Sequence, residues 1–401
     1  MNYLKIEVDK KYVLCPDKVW NGKDSEALLM PTVYISNGLI ERISHPANQN
    51  FISPEFKIIR LPGVTLMPGL VDCHVHFAMN CENLFQAVND WETNPGEVEK
   101  AACKYALNYL ENGVLAVRDG GDKINIGLLT RNNIREKCFP GPLVTATGRA
   151  IYKKGGYGNF LGPGITTVRE AVNNVVQFKE DGVDQIKVIV SGLVSFKKFG
   201  HVGPAQFSLA ELKTIVETAH NFGLKVMTHA SSAQAVETAV LAGADSVEHG
   251  YFLEDRQIEL MLKHGTAWIP TLAPLGNLIS KKHIPYDGAD MDIIKRSFEL
   301  QLKKVAAANN SGILLGIGTD SGANHVLHGG SYHDELAFYS TAGLSNLTIL
   351  QAATCASASI IGKANQIGSI SVGKQPFLIG VNGNPLDNLD VLKKPGWIIM
   401  P

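Results

Sequence analysis

No apolar run in the 401 residues approaches the ~18 residues that cross a bilayer, which argues against a helical membrane span. The opening stretch, MNYLKIEVDKKYVL, holds no apolar core of signal-peptide length, so no secretory leader is expected. Charged residues are sparse at 19%, and the formal net charge is −1. There is no basic stripe for nucleic acid or an anionic membrane, and no acidic tail for a basic partner. The six cysteines, Cys15, Cys73, Cys81, Cys103, Cys138 and Cys355, are scattered, with no C-x-x-C. They read as reduced thiols, and a cytoplasmic chain is expected. Repeats, low-complexity tracts and long charge runs are also missing. What remains is 45% apolar, the composition of an ordinary globular protein. The length suits two domains, or one large barrel with an appended module.

Residues 1–66 read as all-β. YVLCP, TVYISNG and LIERIS are short runs rich in β-branched and apolar residues, separated by turn signals such as NGK, SNG and HPAN. From Val64 to about 362, strand-like runs alternate with helical ones. The strand candidates are 64–76, 114–119, 142–148, 185–192, 225–230, 245–249, 266–272 and 313–320, eight in all, the number that closes a (β/α)8 barrel. Thr167 with Glu170, and Ser208 with Glu211, have the spacing of capping boxes that start helices. Gly182, Gly223, Gly243, Gly265 and Gly312 stand where helices should end before the next strand. After 362 the β patterns return as IGSISVGKQP, FLIGVNG and GWIIMP. The predicted fold is α/β, a (β/α)8 TIM barrel over residues 67–362. A small β-sandwich is built from both termini, residues 1–66 and 363–401. Long connections at about 77–100, 149–165 and 193–207 follow the first, third and fourth barrel strands and are expected over the active face.

Six residues of metal-ligand type close five of these strands. They are His74 and His76 in VTLMPGLVDCHVHF, Lys187 in QIKVIVSG, His229 in KVMTHAS, His249 in DSVEHG and Asp320 in ILLGIGTDSG. His74 and His76 are two apart on a strand, so both point to one side and can reach one ion. Cys73, between Asp72 and His74, faces the other way and is expected to be plain packing. Singly, each has an ordinary explanation. A His-x-His can lie in any cleft, His229 or His249 can be packing residues, and Asp320 can cap a helix. Lys187 can snorkel to solvent. Five strand ends acquiring such residues together points to one metal site. Lys187 lies within an apolar strand, where an unpaired ammonium is costly. Its functional reading is an amine that has reacted with CO₂ to form a carbamate, an anionic ligand able to bridge two metals.

In these motifs the chain resembles the amidohydrolase superfamily of metal-dependent hydrolases. Within it, the chain is most similar to the prolidase-like group, which includes Xaa-Pro dipeptidases, is related to imidazolonepropionase, and extends to N-acyl-amino-acid and carbamate hydrolases. PGLVDCHVH, GVLAVRDGG, IKVIVSG, VMTHASS with AGADSVEHG, and GIGTDSG followed by LHGG carry the resemblance over nearly the whole chain. It implies two divalent metal ions, usually zinc. His74, His76 and Asp320 would hold the buried ion, His229 and His249 the exposed one, and carboxylated Lys187 would bridge them. A bridging hydroxide would attack the carbonyl, with Asp320 as the proton-transferring residue. The implied reaction is hydrolysis of an amide-type C–N bond in a small molecule such as a dipeptide, an N-acyl amino acid or a carbamate. Ester or lactone hydrolysis on the same centre is the alternative. A mononuclear deaminase or imidazolonepropionase-like enzyme would lack the bridging lysine, and a non-catalytic relative would have lost ligands. Beyond its small-molecule substrate, the expected partner is a second copy of the chain, as a homo-oligomer.

The chain also departs from that pattern. Where the prolidase-like group commonly has G-G-H after the third strand, this chain has GGYGNF, with Tyr157 in place of a histidine that helps hold the substrate carboxylate. Tyrosine donates one hydrogen bond and carries no positive charge. If an acid is still recognised, Arg118 near the end of the second strand, or His328 in LHGG, must receive it. Arg118 can instead pair with Asp119 or Asp122. WIPTL, with Trp268 and Thr271, predicts a partly aromatic pocket. VGKQPFLIGVNG lacks the acidic residue usual in that region of the group.

Overall fold

The computed structural model describes residues 2–44, 52–280 and 288–401, so the HPAN turn signal lies outside the described residues. The barrel strands are Leu70–Val75, Val114–Asp119, Leu143–Ala146, Gln185–Ile189, Lys225–Ser232, Ser246–Phe252 and Ala267–Ile269. The first pairs with the second and the second with the third. The fourth to the seventh pair in sequence, and every ladder is parallel. Between the third and fourth, the Asp184 amide donates to Ala146 O at 2.8 Å, and Ala150–Lys153 adds a parallel ladder to the fourth strand. Helices cover the outside, so these strands are buried on both faces and read as continuous apolar runs.

The eighth candidate, 313–320, forms no regular strand. Trp268 N–H donates to Leu314 O and Gly316 N–H to Trp268 O, both at 3.0 Å. On the other side, Cys73 N–H donates to Ile317 O at 2.8 Å and Asp320 N–H to His74 O at 2.7 Å. Between those rungs, Thr319 N–H turns to the carboxylate of Asp72 at 3.0 Å. A side chain thus replaces one rung, and the segment still closes the (β/α)8 barrel. The glycines make this close approach possible. A Cβ on Gly318 would lie 2.4 Å from Ile269 Cγ2 and 3.1 Å from His74 Cβ.

The first candidate, 64–76, is two strands. Phe56–Pro68 belongs to the terminal sheet and Leu70–Val75 to the barrel, divided at Gly69. A Cβ on Gly69 would meet Leu115 at 2.5 Å, so only glycine lets the chain step from one sheet to the other here. The β-sandwich built from both termini is an eight-stranded sheet. Trp397–Met400 and Leu378–Asn382 lie between Asn2–Lys5 and Phe56–Pro68, followed by Lys11–Val19, Thr32–Ser36 and Leu39–Ser44, and the eighth strand, Leu28–Leu29, pairs with Lys11–Val19. Tyr12, Leu14, Val33, Ile35, Leu66 and Ile399 form a core there, apart from the barrel's. Each such fully buried aliphatic contributes roughly 2 kcal/mol. IGSISVGKQP is not a strand. Gly368 and Gly373, both at φ 85°, turn the backbone out of the extended region.

The helix signals match the structure closely. Thr167/Glu170 and Ser208/Glu211 are complete capping boxes, and all five helix-ending glycines have positive φ. In Val168–Glu180 the buried face is Ala171, Val175 and Phe178, at i, i+4 and i+7. Among the described residues, no helix is long and apolar enough to cross a membrane.

Candidate metal centre

The strand ends bring the ligand candidates to one cavity. Ligand atoms of His74, His76 and Asp320 all lie within 4.8 Å of one another. Asp320 Oδ1 is 3.5 Å from His74 Nε2 and 3.4 Å from His76 Nε2. The His249 ring centroid is 5.1 Å from that of His74 and 4.6 Å from that of His229. Lys187 lines the same cavity. Its Nζ is buried without a hydrogen-bond partner, and burial pushes its pKa down to about 8.

The hydrogen bonds around the imidazoles fix which nitrogen faces the cavity. His76 Nδ1 is 3.0 Å from Gly121 O, and a carbonyl can only accept, so Nδ1 carries the hydrogen and Nε2 is left free. His74 Nδ1 donates to Glu248 Oε2 at 2.8 Å, again freeing Nε2. His249 Nδ1 meets Thr271 Oγ1 at 2.7 Å. His229 is reversed, with Nε2 directed to Gly192 O at 3.3 Å and Nδ1 left as the lone-pair atom. Such outer partners set tautomer and orientation in metal sites.

Electrostatics favour charged carboxylates here and neutral imidazoles at His74, His229 and His249, while at His76 burial acts downward but Asp320 outweighs it and raises the pKa. Burial, then the Lys187 charge, lowers His74 to about 4, and the same causes lower His229 to about 3. Burial would raise Glu248, but Arg118 and His74 outweigh it and hold it at about 2. Burial also acts upward on Asp320, and His74, His76 and Lys187 bring it below the usual carboxylate value. Neutral imidazole and ionised carboxylate are the ligand forms.

The backbone is strained at the same place. His249 (φ 68°), Thr271 (φ 49°) and Asp320 (φ 59°) adopt the left-handed conformation. Each such non-glycine residue costs about 1–3 kcal/mol and persists where surrounding contacts over-determine it. Room for an ion is also kept. A Cβ on Gly120 would fall 2.7 Å from His76 Cε1 and 3.3 Å from His74 Nε2. The donor set and this cradle fit a metal ion held by His74, His76 and Asp320.

The amidohydrolase family pattern matches residues 65–401. The chain belongs to the amidohydrolase family. It is a hydrolase of amide C–N bonds. Ochratoxinase of Aspergillus niger is 25% identical over 404 aligned positions, covering 93% of this chain and 81% of that protein. A crystal structure of a Xaa-Pro dipeptidase with bound methionine in the active site superposes with a TM-score of 0.86 at 26% identity, covering 98% of both chains. The crystal structure of A. niger ochratoxinase, at 23% identity, shares the fold with a TM-score of 0.84 over 96% of this chain and 92% of that one.

In this amidohydrolase the cavity measures about 580 Å³. The long connections supply much of its wall. Leu84 and Phe85 come from the first, Tyr157, Phe160 and Leu161 from the second, and Leu193, Val194 and Phe196 from the third. A contribution the sequence reading missed is the helix Ala273–Ser280, whose Pro274, Leu275 and Leu278 add to the wall. Tyr157 is in the cavity, its ring 5.3 Å from that of His229.

Two expected substrate contacts are corrected. Arg118 is 1% exposed and does not line the cavity. Its guanidinium is bound inside the barrel by Cys73 O at 2.7 Å, Ser246 Oγ at 3.1 Å and Glu248 Oε1 at 2.9 Å. The partner is neither Asp119 nor Asp122. His328 is also outside the lining. It stacks on Tyr105 at 3.9 Å, while Nε2 donates to Met79 O and Nδ1 accepts from Tyr109, both at 2.9 Å. With both nitrogens committed, it anchors a loop rather than a ligand. Trp268 is fully buried, donating to His249 O at 3.1 Å, so the aromatic lining comes from Phe85, Tyr157, Phe160, Phe196 and Tyr251 instead. Cys73 is packing, and burial raises its thiol to about 12. Sequence reasoning missed Glu248. The signal was available, since a glutamate inside the apolar run DSVEHG needs a buried partner.

Proposed function

We propose that this amidohydrolase cleaves a small-molecule amide bond with two divalent metal ions, zinc on this nitrogen-rich donor set, held by all six strand-end residues. The observation that carries this is Lys187. An amine 1% exposed, with no hydrogen-bond partner, shares one cavity with four histidines and an aspartate. As an isolated ammonium it is costly there. As a carbamate it becomes an anion with two oxygen donors. Nitrogen bonds to the carbon of CO₂, a C=O electron pair moves to oxygen, and nitrogen loses a proton. His74 Nε2, His76 Nε2 and Asp320 would hold one ion, and His229 Nδ1 and His249 Nε2 the other, with the carbamate between them.

Bound ions supply positive charge that polarises a carbonyl and makes water more acidic. The chain's own residues supply the rest. Asp320, ionised and set by its left-handed backbone, takes a proton from the attacking water and returns it to the leaving nitrogen. The buried imidazoles of His74, His229 and His249, their pKa values lowered first by burial, stay neutral and do not compete for that proton. The apolar wall keeps bulk water away. No serine or cysteine nucleophile takes part, so no acyl-enzyme forms.

Elemental analysis of reconstituted protein, paired with a screen of dipeptides, N-acyl amino acids, carbamates and matched esters, tests this. The expected result is two metals per chain and amide or carbamate turnover that Asp320→Asn lowers by ~10²-fold. One metal or fewer at saturation would refute the binuclear centre, and turnover of esters alone would refute the amide assignment.

A further inference from the structure

We propose that the site selects neutral substrates with an apolar acyl or amine part and excludes those carrying a free carboxylate. This rests on the amide-hydrolase function above and names its substrate class. The charge of the cavity carries it. Among the described residues, Lys187 is the one lysine or arginine on the lining, and it sits among the ligand candidates where the scissile group must lie. Arg118 and His328, the groups expected to receive an acid, are committed elsewhere. At the mouth, Glu82 adds negative charge. Away from the ligands the wall is mostly apolar, with Met79, Phe160, Leu161, Ile189, Phe196 and Leu275, and its other polar groups, on Asn83, Ser231, Tyr251 and Asn324, are neutral. Among the described residues, a substrate carboxylate away from the ligands would therefore meet hydrocarbon and neutral polar groups but no lysine or arginine to pair with, which is costly. Among the described groups, the positive charge left to it is that of the metal centre, in competition with the reacting carbonyl.

The mouth points the same way. Phe85 is 88% exposed and Leu193 52% exposed, both on the cavity lining. Large apolar side chains left in water at an opening offer a first contact to an apolar molecule. The volume of about 580 Å³ is that of sites for drug-sized ligands, and Tyr157 supplies a neutral hydrogen-bonding group beside His229.

Two hydroxamates that differ by one carboxylate provide the test: 4-phenylbutyrohydroxamate and its para-carboxylated counterpart. Calorimetric titration into zinc-loaded protein should show the neutral compound binding roughly tenfold tighter or better. Leu193→Arg, a change on the exposed rim that the fold tolerates, should cut that preference about fivefold. Equal or tighter binding of the carboxylated compound would overturn the proposal. So would failure of both compounds to bind protein that elemental analysis shows to hold metal, or an unchanged preference in Leu193→Arg. Protein that takes up no metal would instead defeat the function proposed above, and this reading with it.

Discussion

His74 and Glu248 form a buried pair, Nδ1–H to Oε2 at 2.8 Å, that joins the first barrel strand to the sixth across the interior. The second carboxylate oxygen of Glu248 accepts from Arg118 at 2.9 Å, which brings in the second strand. One carboxylate therefore holds a ligand imidazole in the right tautomer and neutralises a guanidinium that has no route to water. Glu248→Gln keeps the shape and removes the charge. Metal affinity should fall about 10- to 100-fold, and thermal stability should fall as well, because Arg118 is left buried without an anion, a defect on the order of 3–5 kcal/mol. Competition with a chromophoric chelator and a melting curve measure the two effects. Unchanged metal affinity would show that the pair only supports packing.

Lys187→Ala should lose at least one of two metals and nearly all turnover, since the buried Nζ has no other partner to serve. Added formate or acetate should restore part of both by standing in for the carbamate. Full metal content with full turnover in the variant would remove Lys187 from the centre.

Gly120→Ala probes the space for the ion directly. The new methyl would lie 2.7 Å from His76 Cε1, at a backbone position outside the left-handed region. Metal content should drop about tenfold or more, while the melting temperature of metal-free protein stays close to that of the parent. A variant that loads metal normally would mean that the imidazoles do not close on that space.

Asp184 gives a pH-dependent prediction away from the centre. Its carboxylate accepts from Arg131 Nη1, from Arg135 at 3.2 Å and from Ala146 N–H at 3.0 Å. Burial acts to raise its pKa, but the Ala146 amide and the arginines outweigh that and lower it. A folded pKa below the unfolded value of about 3.9 gives stability that is present above that pH and lost as pH falls through the folded pKa. Asp184→Asn should therefore be less stable than the parent at pH 7, by about 2 kcal/mol. The gap should close as the pH drops below about 4. Melting curves of both proteins across that range decide it, and a gap independent of pH would rule out the charge as its source.

The sequence by itself determined the strand–helix alternation, the capping boxes, the helix-ending glycines and the six residues that share the cavity. These depend on short-range rules. A strand's alternation aims His74 and His76 to one side, and a barrel carries every strand end to one face, so position in the pattern stands in for position in space. Only the tertiary structure decided the partners. Arg118 and His328 looked as available as Tyr157, yet one is held by Glu248 from a strand about 130 residues on and the other by Tyr109 and Met79. Glu248 itself is next to His249 in sequence but serves His74. Strand 313–320 lost its regular ladder because Asp72, far away in the chain, offers Thr319 a better acceptor. The fate of a buried polar group depends on which atoms lie within about 3 Å of it, and that distance is set by packing between distant segments rather than by any local pattern.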